Sequence, residues 1–288
     1  MIQSSELILN PDGSIYHLHL RPEHLAKTII TVGDPDRVQA VSKHFDRIEY
    51  AFNKREFITH TGYIGKKRLS VISTGIGPDN IDIVLNEIDA LFNIDLKSRV
   101  PKSDLTSVSF IRIGTSGALQ GDIAVDSFLL SSYAIGWDNL FSFYELTPSK
   151  EIQALEQELA EAIPDLPVAG TLVKAPGDLQ HHFPSSFLRG ITLTCPGFYA
   201  PQGRQLRLPS RLKAEHFAKM QTVRLGGERI TNMEMETSAI YGMAQLLGHQ
   251  ALSCNAILAN RPNGEFSKAP AKTVELMITE VLSILVDN

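Results

Sequence analysis

Phe110-Ile-Arg-Ile-Gly-Thr-Ser-Gly-Ala-Leu119 sets one arginine inside an apolar, β-branched run, then two hydroxyls between two glycines. The apolar residues read as a buried strand over 108–113. Gly114 and Gly117 let backbone N–H groups come close to a ligand. The following 115–117 stretch therefore reads as a loop able to hold an anion. Thr115 and Ser116 add hydroxyl donors, and Arg112 adds a permanent positive charge. A buried arginine asks for a carboxylate or a phosphate. The bland alternative is an ordinary strand-turn whose arginine meets a structural Asp or Glu.

Strand-like and helix-like segments alternate on both sides of this stretch. Thr28-Ile-Ile-Thr-Val32 is a short buried strand. Asp34 caps the helix that follows it to about residue 44, and Pro35 fits that helix's first turn. Strands over 57–64 and 69–73 flank the turn Gly65-Lys-Lys-Arg68. Ile81, Val84, Leu85, Ile88, Leu91 and Phe92 then recur at helical spacing. Residues 94–107 read as an inserted loop. Further strands are expected at about 125–133, 171–174, 191–194 and 251–259. Helices are expected at 149–163, 212–221, 236–247 and 270–286, with Ser149 as a cap. Loops fill 136–148 and 196–211. No linker interrupts the chain, so residues 1–288 read as one α/β domain with a central mixed sheet.

Composition narrows the function. The 288 residues carry 27 basic and 32 acidic side chains, a net charge of −5. No long basic run is present, which removes support for nucleic-acid or membrane-surface binding. Any anion must be held by a few placed arginines. Two distant cysteines, Cys195 and Cys254, suggest neither a disulfide framework nor a zinc site. With no signal-like N-terminus and no apolar run of about 20 residues, a soluble cytoplasmic protein is expected.

Other segments carry candidate chemistry. Gly33-Asp-Pro-Asp-Arg37 puts a glycine and an arginine at a helix start, where free N–H groups and the helix dipole favour an anion. Arg37 and Arg112 converge on one phosphate if their strands lie side by side. In Asn232-Met-Glu-Met-Glu-Thr237, Glu234 and Glu236 share a face only if the segment is extended. A carboxylate there suits a vicinal diol; the alternative is a helix first turn with Glu236 complementing the dipole. Phe198-Tyr-Ala-Pro-Gln-Gly-Arg204 offers an aromatic face, an amide and a guanidinium for a flat polar ring. Asn260-Arg261 follows a strand end, a common lining position in α/β sites.

Taken in order, Tyr16-His-Leu-His-Leu20, Gly33-Asp-Pro-Asp-Arg37, Arg55-Glu-Phe57, Ser73-Thr-Gly-Ile-Gly77, the Arg112–Gly117 run, Phe198–Arg204, Glu234-Met-Glu236 and Asn260-Arg261 resemble the uridine phosphorylases of the nucleoside phosphorylase superfamily. The resemblance covers nearly the whole chain. It implies a nucleoside phosphorylase-like α/β fold, with a mixed, partly barrel-like sheet flanked by helices. It also implies reversible phosphorolysis, in which inorganic phosphate attacks the anomeric carbon of uridine and displaces uracil. Gly33, Arg37, Arg112 and Thr115 then correspond to phosphate ligands, and Arg55 to an arginine lent to a neighbouring subunit. His17 corresponds to a histidine lent toward the ribose. Met235 and Glu236 correspond to ribose contacts, and Phe198, Gln202 and Arg204 to the base site, with Arg261 beside it. Arg112, Gln202, Arg204 and Arg261 are the expected catalytic groups. A homodimer at minimum follows, with no metal or organic cofactor.

Three departures from the family pattern stand out. The Ile76-Gly77-Pro78 loop has one glycine fewer than usual, at a place where some relatives hold a structural potassium ion; Glu56 keeps its carboxylate. Ala200-Pro201 replaces Pro-Gly. The 94–107 insertion is more like that of dimeric than hexameric relatives. The rival readings are a purine nucleoside phosphorylase, a hydrolytic nucleosidase and a non-catalytic nucleoside-binding protein. The first expects an aspartate after the last strand, and Ala259-Asn-Arg-Pro-Asn-Gly-Glu265 has none. The second gives phosphate arginines no purpose.

Overall fold

The structure is a computed structural model and describes all 288 residues. Strand β1 (Thr28–Val32) leads into helix α1 (Pro35–Ser42), with the Asp34 carboxylate accepting from the Asp36 amide as an N-cap. A meander follows: β2 (Arg47–Lys54), β3 (Phe57–Ile64) and β4 (Lys67–Ser73). Helix α2 (Pro78–Asn93) ends at a small hairpin of β5 (Ile94–Asp95) and β6 (Val100–Pro101), so the expected inserted loop is partly ordered by pairing. Next come β7 (Ser109–Ala118), β8 (Phe128–Gly136), α3 (Lys150–Ala162), β9 (Thr171–Lys174) and β10 (Leu188–Thr194). The chain closes with α4 (Ala214–Thr222), β11 (Arg224–Leu225), β12 (Glu228–Glu234), α5 (Thr237–Leu247), β13 (Gln250–Asn260), β14 (Glu265–Phe266) and α6 (Pro270–Asp287).

Five strands close a barrel. β12 pairs with β10, β10 with β8, β8 with β13, β13 with β7, and β7 returns to β12. β1 adds in parallel to the outside of β7, and β4, β3 and β2 extend the sheet beyond it. Helices cover both faces. One core packs α2 and α5 through Ile81, Leu85, Ile88, Tyr241 and Met243. The opposite core packs α1 and α6 through Val38, Val41, Met277 and Val281. A third, around Ile152, Leu159 and Met220, seats α3 and α4. Each fully buried Leu, Ile or Met contributes about 1.5–3 kcal/mol through the hydrophobic effect. No helix is long and apolar enough to cross a membrane.

Two expectations about the chain's course are corrected. The 115–117 segment is not a loop. β7 runs on to Ala118, with Thr115 opposite Ala256 and Gly117 opposite Ala259 of β13. Glycines that look like a turn are here strand residues, tolerated because β13 pairs with them along one edge. The strand expected at 125–133 also sits later, at Phe128–Gly136.

Candidate active site

β7 has three neighbours, and it changes partner along one edge. Thr28–Thr31 of β1 pair with Ser109–Arg112, whereas β12 pairs only with Gly117 and Ala118. Between Arg112 and Gly117 that edge has no partner strand. The split leaves backbone groups free for a ligand, at the kind of switch point where open sheets bind small molecules. A cavity of about 780 Å³ opens there.

One end of the cavity is cationic. Register places Thr31 opposite Arg112, so the helix after β1 brings Arg37 beside it. Gly33, Arg37, Arg112 and Thr115 all line the cavity. Burial lowers the Arg37 pKa first, and the neighbouring Arg112 charge lowers it further. No carboxylate lies within ion-pair distance of Arg37; its Nη1 reaches only the Ile113 carbonyl at 3.4 Å. A free, half-buried guanidinium favours an incoming oxyanion.

Arg112 differs, because it already has partners. Its Nη2 lies 2.6 Å from Glu236 and 3.1 Å from Glu234, and its Nη1 donates to Asn255 Oδ1 at 3.0 Å. The carboxylate that the bland alternative asked for is therefore present, twice, inside the cavity. Burial works against the Arg112 charge, but Glu234 and Glu236 outweigh it and hold its pKa up. Gly114 makes this posture possible: a Cβ there would sit 1.9 Å from Arg112 Nη1.

Glu234 and Glu236 fall where strand becomes helix. Glu234 ends β12, and Glu236 is the N-cap of α5. Glu234 accepts from the Glu236 amide at 2.9 Å, from the Thr237 amide at 3.0 Å and from the Thr194 hydroxyl at 2.7 Å. Glu236 Oε1 accepts from the Gly77 amide at 3.0 Å, at the start of α2. Two helix N-termini thus converge on this pair of carboxylates, which their dipoles favour. Burial raises the Glu236 pKa, with Arg112 opposing and the Glu234 charge adding to the rise. The sequence left extended and helical readings open; the structure uses both, one for each glutamate.

The other end of the cavity is built from the 196–211 segment. Gln202 is buried, its amide oxygen accepting from Arg204 and its backbone carbonyl from Arg261. The Arg204 guanidinium lies 3.8 Å from the Phe198 ring centroid. Burial lowers the pKa of both arginines, and Arg204 lowers that of Arg261 further. Neither has an acidic partner. Phe198, Leu258 and Phe266 supply apolar walls, with Phe198 still 51% and Phe266 75% exposed.

The cavity thus gathers the expected phosphate group except Arg55, the expected base group, and Met235 with Glu236 between them. Arg261 stands just behind, holding Gln202. His17 and Arg55 stay out. The His17 ring meets Glu87 at 2.6 Å in a separate depression, and Arg55 is exposed at the β2–β3 turn with φ of 55°. Sequence reasoning gave Glu234 no role and overlooked Asn255, because a buried partner of a buried arginine leaves no local spacing signal. Burial pushes both thiols, Cys195 and Cys254, far above their usual range, so neither is a nucleophile.

A profile of the Phosphorylase superfamily matches residues 27–286. The chain belongs to the phosphorylase superfamily. Among its relatives in this superfamily, the uridine phosphorylase of Thermococcus kodakarensis is 31% identical over 99% of this chain and 91% of the relative. The uridine phosphorylase of Escherichia coli is 26% identical over 96% of each. A Trypanosoma brucei nucleoside phosphorylase, whose crystal structure is described as showing uridine phosphorylase activity, superposes with a TM-score of 0.87 at 27% identity, covering 98% of this chain and all of that one. The nucleoside phosphorylase fold expected from the sequence is therefore the fold of this superfamily member.

Proposed function

We propose that this chain catalyses phosphorolysis of uridine, giving uracil and ribose 1-phosphate. The observation that carries the reading is one cavity with an anion-binding end, a buried carboxylate in the middle and an amide–guanidinium pair at the far end. Phosphate lies at Gly33, Arg37, Arg112 and Thr115. The ribose spans Met235 and Glu236, and uracil meets Phe198, Gln202 and Arg204. A phosphate oxygen bonds to C1′ as the C1′–N1 bond breaks, and the base leaves with the electron pair. Arg204, unneutralised by any acid, donates to the uracil edge as negative charge builds there, with Arg261 supporting Gln202. Such bonds strengthen toward the transition state and so accelerate the reaction. Holding phosphate under the sugar supplies the rest through positioning. The active unit is at least a homodimer, with His17 and Arg55 completing the partner's site. A cytoplasmic location belongs to the same reading and rests on two free, buried cysteines.

The test is uracil release from uridine with and without inorganic phosphate, beside an inosine control. Release should require phosphate and should be faster for uridine. Full-rate release in phosphate-free buffer, or faster turnover of inosine, overturns the proposal.

A further inference from the structure

Two groups to which the proposed function gives different substrates occupy each other in this structure. Glu236 Oε2 is 2.6 Å from Arg112 Nη2, and Glu236 Oε1 is taken by the Gly77 amide at 3.0 Å. Arg112 Nη2 is shared with Glu234 at 3.1 Å, and Nη1 is held by Asn255. Each Glu236 oxygen thus already has a donor before any ribose diol arrives, and Arg112 Nη2 already faces two carboxylates before any phosphate arrives.

We infer that Glu236 and phosphate compete for Arg112, so that phosphate binding releases Glu236 to read the ribose 2′,3′-diol. The inference rests on the proposed function and adds the linkage between its two substrates. The asymmetry between the glutamates supports it. Glu234 has the Thr194 hydroxyl and two backbone amides to keep it in place without Arg112. Glu236 has only Gly77, so it is the carboxylate that yields. Arg37 stands free beside the pair and gives phosphate a first foothold that displaces no carboxylate. Once Glu236 loses Arg112, it needs hydrogen-bond donors, and two adjacent hydroxyls supply them. Linkage then runs both ways: phosphate tightens ribonucleoside binding, and the ribonucleoside tightens phosphate. A 2′-deoxyribose offers one hydroxyl fewer and gains less. Glu236 in this way makes the preference for ribose over deoxyribose depend on phosphate.

Two measurements test this. Calorimetric titration of inorganic phosphate, without nucleoside, compares the parent with Glu236→Gln and Glu236→Ala, each checked for folding by circular dichroism. Both variants should bind phosphate about 3- to 10-fold more tightly while losing turnover, since the competitor is gone. Initial rates over a grid of both substrates should show the KM for uridine falling about 5-fold or more from low to saturating phosphate, and falling less for 2′-deoxyuridine. Unchanged or weaker phosphate binding in the variants, or a uridine KM independent of phosphate, overturns the inference while phosphate-dependent turnover in the parent leaves the proposed function standing. A parent that binds no phosphate sinks the proposed function and this inference with it.

Discussion

Gly114 carries more of the site than its size implies. The Arg112 guanidinium folds back over it, and an added Cβ would meet Nη1 at 1.9 Å and Cζ at 2.3 Å. The strand backbone itself tolerates alanine, because Gly114 has no positive φ. Gly114→Ala should therefore leave a folded protein whose arginine is pushed off Glu236 and Asn255. The expected result is a rise in phosphate KM of about 10-fold or more, because a charge-assisted hydrogen bond is worth about 1.5–3 kcal/mol. A saturation curve in phosphate checks it; an unchanged KM would mean that the guanidinium does not bind the anion. At the other end of the cavity, Arg204→Ala should cripple uridine turnover and spare phosphate binding. Arg204 contacts Phe198 and Gln202 and touches no part of the phosphate end. Phosphate titration beside a rate assay separates the two effects, and a lost phosphate affinity would count against the division of the cavity into two ends.

At the level of elements, the helix signals in the sequence hold, although α2 starts at Pro78, three residues before the first apolar position. Asp34 and Ser149 cap α1 and α3 as expected, and the apolar spacing from Ile81 to Phe92 is the buried face of α2. The two long strands that escaped notice did so for opposite reasons. β2 lies at the sheet edge, where Arg47, Glu49 and Lys54 keep it exposed. β12 is buried, but through polar residues: Thr231, Asn232 and Glu234 turn into the barrel and the site, so no hydrophobic alternation marks it. The 136–148 loop packs down onto α5 and α2. Phe141 fills the space above Gly242 of α5, where a Cβ would lie 2.1 Å from its ring. The Tyr144 hydroxyl donates to Asp82 and accepts from Asn86 at 3.1 Å, both on α2. Gly242→Ala should thus act as overpacking and cost about 1–3 kcal/mol of stability. Denaturant unfolding measures it; a neutral result would show that the loop moves aside freely.

Over the whole molecule, closing five strands into a barrel joins the site to a buried polar network. Asn232 donates to Ser116 at 2.9 Å and accepts from Thr192 at 2.9 Å, while Asn255 links Ser253 to the Arg112 guanidinium. Within one chain, Arg55 stays outside the proposed phosphate site. Arg55 is exposed at a hairpin tip, in a left-handed conformation, and borders neither the cavity nor an acidic partner. Three apolar residues at the cavity wall, Ile76, Phe198 and Phe266, stay 66%, 51% and 75% exposed. The homodimer proposed above would account for both observations by bringing Arg55 of one copy to the phosphate end of the other. Shared sites have a numerical signature in mixing experiments. In a two-fold dimer of one Arg55→Ala chain and one Arg112→Ala chain, one site holds both intact arginines and the other holds neither. Random exchange makes half the dimers mixed, so activity should recover to about a quarter of the parent's. Each variant alone should stay near background. Recovery absent after subunit exchange has been verified by mass spectrometry would place Arg55 in its own chain's chemistry or outside the reaction altogether.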